Sequence, residues 1–205
     1  MAETQVFLAF DLGAESGRAV LGSFNRQKIF LEELHRFTNG GVRVLDSLHW
    51  DVLHLWSEMK NALSICALRD LHLQGIGVDT WGVDFAMIGA DNSLLSLPYH
   101  YRDSRTDGML EEAFCRLSRE EIFGFSGGQF LQINTLYQLL SMVVHQSPLL
   151  EIADTLLMMP DLFVFWLTGK KVCEFTNATT TQFYDPRQKC WSRDIFKAFS
   201  LPFGL

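Results

Sequence analysis

The chain is short of the features that mark many specialised functions. Lysine and arginine number 17 against 24 aspartates and glutamates, for a net charge of −7, and the cations do not gather into a stripe. A nucleic acid or an anionic membrane is normally met by a basic face, so neither is expected as a partner. The acidic balance still allows a phosphorylated ligand, because backbone amides and one or two placed cations suffice to hold a phosphate. The four cysteines, Cys66, Cys115, Cys173 and Cys190, form no CxxC pair and show no zinc spacing. The six histidines lie apart, with no HxxxH or HxxH pairing, which argues against a metal site or a nucleophilic triad. The opening MAETQVFLAFDLG lacks the basic flank and long apolar core of a signal peptide, and apolar stretches such as Phe163 to Leu167 are far too short to span a bilayer. Asn177-Ala178-Thr179 fits a glycosylation sequon, but with no secretory signal it reads as chance. A reducing, cytoplasmic setting is the expectation.

What is there reads as a mixed α/β chain without repeats or low-complexity tracts. Val6 to Phe10, Arg18 to Phe24 and Lys28 to Phe37 read as three strands of a meander, broken after by Asn39-Gly40-Gly41. Asp51 caps a helix running to about Leu68, whose Val52, Leu55, Trp56, Met59, Leu63 and Cys66 recur at three- and four-residue steps. Gly75 to Val78 reads as a buried strand and Val83 to Ile88 as another, reached through that helix in the manner of a parallel crossover. Helices are predicted over Thr106 to Arg116, Arg119 to Phe123, Thr135 to His145 and Asp161 to Leu167. A local hairpin is predicted from Val172 to Phe175 and Thr180 to Tyr184. No boundary interrupts residues 1–205, so one α/β domain is expected.

The segment richest in chemistry is Asp11-Leu12-Gly13-Ala14-Glu15-Ser16-Gly17-Arg18. It joins strand to strand and lacks GxGxxG, so it is not a dinucleotide-binding fingerprint. Nor is there a phosphate-binding Walker loop, since the only Gly-Lys pair, Gly169-Lys170, has Val164 where the upstream glycine belongs. A tight turn with two glycines can aim several N–H groups at one oxyanion. Ser16 adds a hydroxyl, Arg18 a cation, and Asp11 a carboxylate able to hold magnesium through water. A plain hairpin turn with a solvated arginine accounts for the octapeptide equally well. Glu15 suits a phosphate site only if it points away or toward the metal.

This turn between two strands resembles the first phosphate loop of the actin/hexokinase superfamily. Further runs are similar, in order, to the amino-terminal domain of the FGGY carbohydrate kinases, above all their rhamnulokinase branch. They are Val78-Asp79-Thr80-Trp81-Gly82-Val83-Asp84-Phe85, Tyr101-Arg102-Asp103-Ser104-Arg105-Thr106, Met159-Pro160-Asp161-Leu162 with Leu167-Thr168-Gly169-Lys170, and Thr176-Asn177-Ala178-Thr179-Thr180-Thr181-Gln182. The resemblance implies an actin/hexokinase-like (ribonuclease H-like) ATPase lobe with a mixed five-stranded sheet flanked by helices. It implies ATP and Mg²⁺ as cofactors and a sugar as substrate. Ala14, Glu15, Ser16, Gly17 and Arg18 match the ATP-phosphate loop, with Asp11 at the magnesium-linked aspartate. Gly82 matches a position where the sugar approaches the backbone, flanked by Trp81 and Asp84 as an apolar wall and a hydroxyl partner. Core packing for Trp81 and Phe85, and backbone satisfaction for Asp84, are the competing explanations.

Arg102, Asp103 and Arg105 read as a surface network fixing a loop. Asn134-Thr135 reads as a helix cap, although the family places sugar contacts nearby. Pro160 is expected to start a helix, Asp161 to support its first turn and Gly169 to end it. The family's catalytic aspartate lies beyond position 205, so no catalytic residue is assigned, and activity is expected to need a second, carboxy-terminal lobe. The resemblance implies a ketose kinase, L-rhamnulose first, with xylulose or glycerol as rivals. A non-catalytic binding module retaining the fold is the alternative from another class. The closing Phe196, Phe199, Leu201 and Phe203 are expected to expose an apolar face, through which the chain could dimerise.

Overall fold

The computed structural model describes residues 4–204. They gather into two compact units, one of residues up to 42 with 50–81, the other of residues 43–49 with 82 onward.

The first unit is built on β1 (Gln5–Leu12), β2 (Ser16–Phe24) and β3 (Ile29–Thr38), an antiparallel meander. A short hairpin, β4 (Gly41–Val44) and β5 (Ser47–Trp50), whose residues 43–49 are grouped with the second unit, precedes α1 (Val52–Leu68) in the chain. The chain then returns as β6 (Leu73–Thr80), parallel to β1, giving the order β3-β2-β1-β6. Alternation explains the layer: Leu8, Phe10 and Leu12 all point to one face of β1 and are buried there, as are Ala19 and Leu21 of β2. Against β2 and β3 packs α1, burying Val52, Leu55, Met59, Ala62 and Cys66. Its start follows from Asp51, whose carboxylate accepts the His54 N–H at 2.9 Å. The opposite face of the sheet has little cover in this unit. Ile76 is 43% exposed, so β6 is half-exposed rather than buried.

In the second unit β7 (Phe85–Ile88) is fully buried. It was expected to extend the main sheet as a fifth strand. Instead it pairs antiparallel with β8 (Thr155–Met158), and the main sheet stops at four. Between them come a 3₁₀ turn (Ser104–Thr106), α2 (Met109–Arg116), α3 (Arg119–Ser126), α4 (Thr135–Val144) and α5 (Leu149–Ile152). Next is α6 (Met159–Thr168), with Pro160 in its first turn and Gly169 closing it at φ +71°. Then follow α7 (Phe175–Ala178), a 3₁₀ turn (Thr179–Thr181), the short pair β9 (Tyr184–Asp185) and β10 (Cys190–Trp191), and α8 (Arg193–Ala198).

Two expectations fail here for visible reasons. Residues 175–181 are helical, not half of a hairpin. Glu174 caps them by accepting the N–H groups of Thr176 and Asn177, and the hydroxyls of Thr179, Thr180 and Thr181 bond carbonyls three residues back. Those bonds offset the strand preference of a threonine run. The closing aromatic run is not an exposed face either. Phe196, Phe199 and Leu201 belong to the core with Ile122, Leu136, Leu140 and Phe183, and only Phe203, at 40%, is substantially exposed.

Candidate functional site

Two clusters hold the sequence-predicted residues, one in each unit. In the first unit, the turn between β1 and β2 is closed by the Gly13 N–H donating to Ser16 O at 2.9 Å. Asn39, at the end of β3, braces it from behind: its Nδ2 donates to Gly13 O at 2.7 Å and its N–H to Glu15 O at 3.0 Å. With the turn's carbonyls so engaged, the N–H groups of Ala14 and Glu15 meet no acceptor among the described residues. Asp11 and Arg18 are direct cross-strand partners, and Arg18 Nε donates to Asp11 Oδ2 at 2.8 Å. Both side chains stay about half exposed, at 45% and 47%. Gly17 is buried, and a Cβ there would run into the Phe37 ring, so packing requires a glycine at this position. Glu15 and Ser16 are exposed.

Two donors, a hydroxyl, a guanidinium and a carboxylate within one turn fit a polyphosphate with a hydrated divalent cation. Trp81, also in this unit, stacks on the buried Trp50 at 3.8 Å and 29°, so its ring is largely committed to packing.

In the second unit, Gly82-Val83-Asp84 forms a tight three-residue turn, with the Asp84 N–H donating to Gly82 O at 2.9 Å. Val83 sits at φ +67°. That region is disfavoured for a β-branched residue, and strain of this kind persists only where surroundings hold it. The holders are on α4: Thr135 Oγ1 donates to Val83 O at 2.7 Å, and Gln138 Nε2 does so at 3.3 Å. Gln138 Nε2 also reaches Asp84 Oδ1 at 2.8 Å, while Asp84 Oδ2 accepts the Tyr101 N–H at 3.1 Å. Asp84 is completely buried and serves these neighbours. At Gly82 a Cβ would lie 3.4–3.7 Å from Thr180 and Asn177, in ordinary contact with them.

The charged loop beside this turn is not a surface network. Arg105 stacks on the Tyr99 ring at 3.9 Å and donates to Gln138 Oε1 at 2.6 Å, while its buried Nη1 meets no acceptor among the described residues. Burial draws its pKa down to about 10. Asp103 accepts the N–H groups of Leu48 and Arg105, and Arg102 stays exposed. Asn134 stands at the N-cap position of α4 but makes no capping bond; its amide donates to Gln129 O and Gln182 Oε1. Burial also pushes His100 down to about 4 and Asp161 up to about 6. Among the described residues no group of three or more His, Cys, Asp or Glu could hold a metal, and no helix is long and apolar enough to cross a membrane.

The sequence profile of the FGGY family of carbohydrate kinases, N-terminal domain, matches residues 6–203. This chain belongs to that family. It is 41% identical over 197 residues to the rhamnulokinase of Bacteroides thetaiotaomicron, covering 96% of this chain and 41% of that protein. With the rhamnulokinase of Halalkalibacterium halodurans it shares 41% identity over 191 residues, 93% of this chain and 41% of that protein. The chain thus spans about two-fifths of the length of these relatives. A ligand-bound xylulose kinase from Lactobacillus acidophilus superposes with a TM-score of 0.85 over 98% of this chain and 41% of its own, at 16% identity, a likeness of fold. The FGGY architecture accounts for the actin/hexokinase-like arrangement of mixed sheet and helices. Sequence reasoning named Asp11, Arg18 and Gly82. It read Thr135 only as part of a helix cap, and it missed Asn39 and Gln138, whose polar side chains carry no local signal of the turns they brace.

Proposed function

We propose that this chain is the amino-terminal lobe of an ATP-dependent kinase that phosphorylates a ketose, with L-rhamnulose the first candidate. The Gly82–Asp84 turn carries the sugar reading. A valine is kept at positive φ by two side chains of α4 beside a glycine whose missing Cβ leaves the main chain approachable. Relatives named rhamnulokinase supply the substrate guess; xylulose and glycerol kinases share the fold alone.

The β1–β2 turn is the nucleotide side of the proposal. The N–H groups of Ala14 and Glu15, the Ser16 hydroxyl and the Arg18 guanidinium would hold ATP phosphates, and Asp11 would orient the waters of a bound magnesium. Mg²⁺, when bound, neutralises charge on the transferring phosphoryl group. In this reading Arg18 keeps Asp11 in one place before the metal arrives, and Gly17 keeps the turn tight by letting Phe37 pack beneath it. The proton-accepting carboxylate of the reaction is assigned to a second lobe, and the cytoplasm is the proposed setting, supported by four cysteines that are all unpaired.

The test compares ATP turnover by the 205 residues with turnover by a version extended through a second lobe, each with L-rhamnulose, D-xylulose or glycerol. The expected result is turnover by the extended form alone, highest with L-rhamnulose. Robust turnover by the shorter chain, or no preference for a ketose, overturns the proposal.

A further inference from the structure

Gly82 faces a wall to which sequence reasoning gave no role. A Cβ at this position would lie 3.4 Å from Thr180 Oγ1, 3.5 Å from Thr180 Cγ2 and 3.7 Å from Asn177 Oδ1. Two side chains from the α7 segment therefore look onto the bare main chain of residue 82. Their placement is firm. Glu174 anchors the Asn177 N–H at 2.8 Å, and Thr180 Oγ1 donates to Asn177 O at 2.8 Å, one turn away. Thr180 Oγ1 also lies 3.3 Å from Asn177 Oδ1. After these bonds the Asn177 Nδ2 group, with two N–H donors, meets no acceptor among the described residues, and the Thr180 oxygen keeps lone-pair capacity. Both residues are only partly buried.

The main-chain carbonyls across the gap are already engaged. Gly82 O takes the Asp84 N–H, and Val83 O takes Thr135 and Gln138. A ligand lying over Gly82 would thus find side-chain hydrogen-bond partners on the α7 side. A donor amide and an acceptor hydroxyl one helical turn apart match neighbouring hydroxyls of a carbohydrate, each of which both donates and accepts.

We propose that Asn177 and Thr180 form the second wall of a carbohydrate subsite at Gly82, with the Asn177 amide donating to one sugar hydroxyl and Thr180 Oγ1 accepting from its neighbour. The inference rests on the sugar reading of Gly82 and adds the residues that select the hydroxyl pattern.

The test is a ¹⁵N-correlation titration of the chain with L-rhamnulose. The backbone signals of Gly82, Val83 and Asp84 and the side-chain NH₂ of Asn177 should move together with one dissociation constant. Asn177→Ala and Thr180→Val should each weaken binding about fivefold, the loss of one neutral hydrogen bond, with a dispersed spectrum showing that the fold is kept. If the sugar moves the Gly82–Asp84 signals but not the Asn177 amide, and the folded variants bind as the parent does, this wall is refuted while the sugar reading of Gly82 stands. If the sugar moves none of these signals, both fall. Should one variant fail to fold, the parent's shift map and the other variant decide.

Discussion

Replacing Gly82 by alanine separates folding from binding at this site. The residue is not among those at positive φ, so alanine adopts its backbone without strain. The added methyl would meet Thr180 and Asn177 at 3.4–3.7 Å, ordinary van der Waals contact. Nothing in the folded chain has to move. The unfolded chain loses freedom, which favours folding by about 0.4–1 kcal/mol. For a chain of this length that is a thermal midpoint unchanged or a few degrees higher. A ligand packed against the bare main chain meets the opposite situation. The methyl takes the space of one of its atoms, and overpacking of this size costs about 1–3 kcal/mol, or roughly a five- to 150-fold loss of affinity. Thermal unfolding and isothermal titration with L-rhamnulose read the two effects separately. A stable Gly82→Ala chain that binds the sugar as tightly as the parent would refute the approach of a ligand to residue 82, whereas a variant that unfolds would refute the contact geometry.

Gly17→Ala should behave in the reverse sense. The new methyl collides with the Phe37 ring beneath the turn, so denaturant unfolding should show a loss of about 1–3 kcal/mol, and an unchanged midpoint would show that Gly17 serves another purpose. Asp11→Asn and Arg18→Ala break a half-exposed ion pair and should change stability by no more than about 1 kcal/mol, yet each should weaken binding of Mg-ATP; equal affinity in a fluorescence titration would remove the turn from the nucleotide site. Asp161 titrates near 6 in the folded chain against 3.8 in the unfolded one, because burial disfavours its charge. The folded state therefore holds a proton that the unfolded state has released between about pH 4 and 6, and this contribution to stability is full below pH 4 and lost as pH rises through 6. Relative to the parent, Asp161→Asn should gain stability across that window, by at most about 3 kcal/mol, in unfolding curves taken at several pH values. His100, held near 4, works in the opposite direction over pH 4 to 6.5, so a parent that looks flat in this range does not contradict the expectation; a variant that tracks the parent at every pH does.

What the sequence determined by itself is what neighbouring residues settle among themselves. The stripe on α1, its Asp51 cap, the Pro160 start and Gly169 stop of α6, and the alternation along β1 and β2 are local consequences of periodicity and backbone chemistry. The turn from Asp11 to Arg18 was legible for the same reason, since its cross-strand pair lies within eight residues. Tertiary structure decided everything that needed a distant partner. Periodicity marks Phe85–Ile88 as a strand but does not say which strand it joins, and Thr155–Met158 was the answer. Charge made Arg105 look like surface, until Tyr99 and Gln138 enclosed it. Gly17 looked like a loop glycine, and Phe37 showed it to be a packing one. The same holds for Val83: its positive φ is paid for by Thr135 and Gln138, and its neighbour Gly82 faces Asn177 and Thr180, residues far away in sequence that only the folded chain brings within reach.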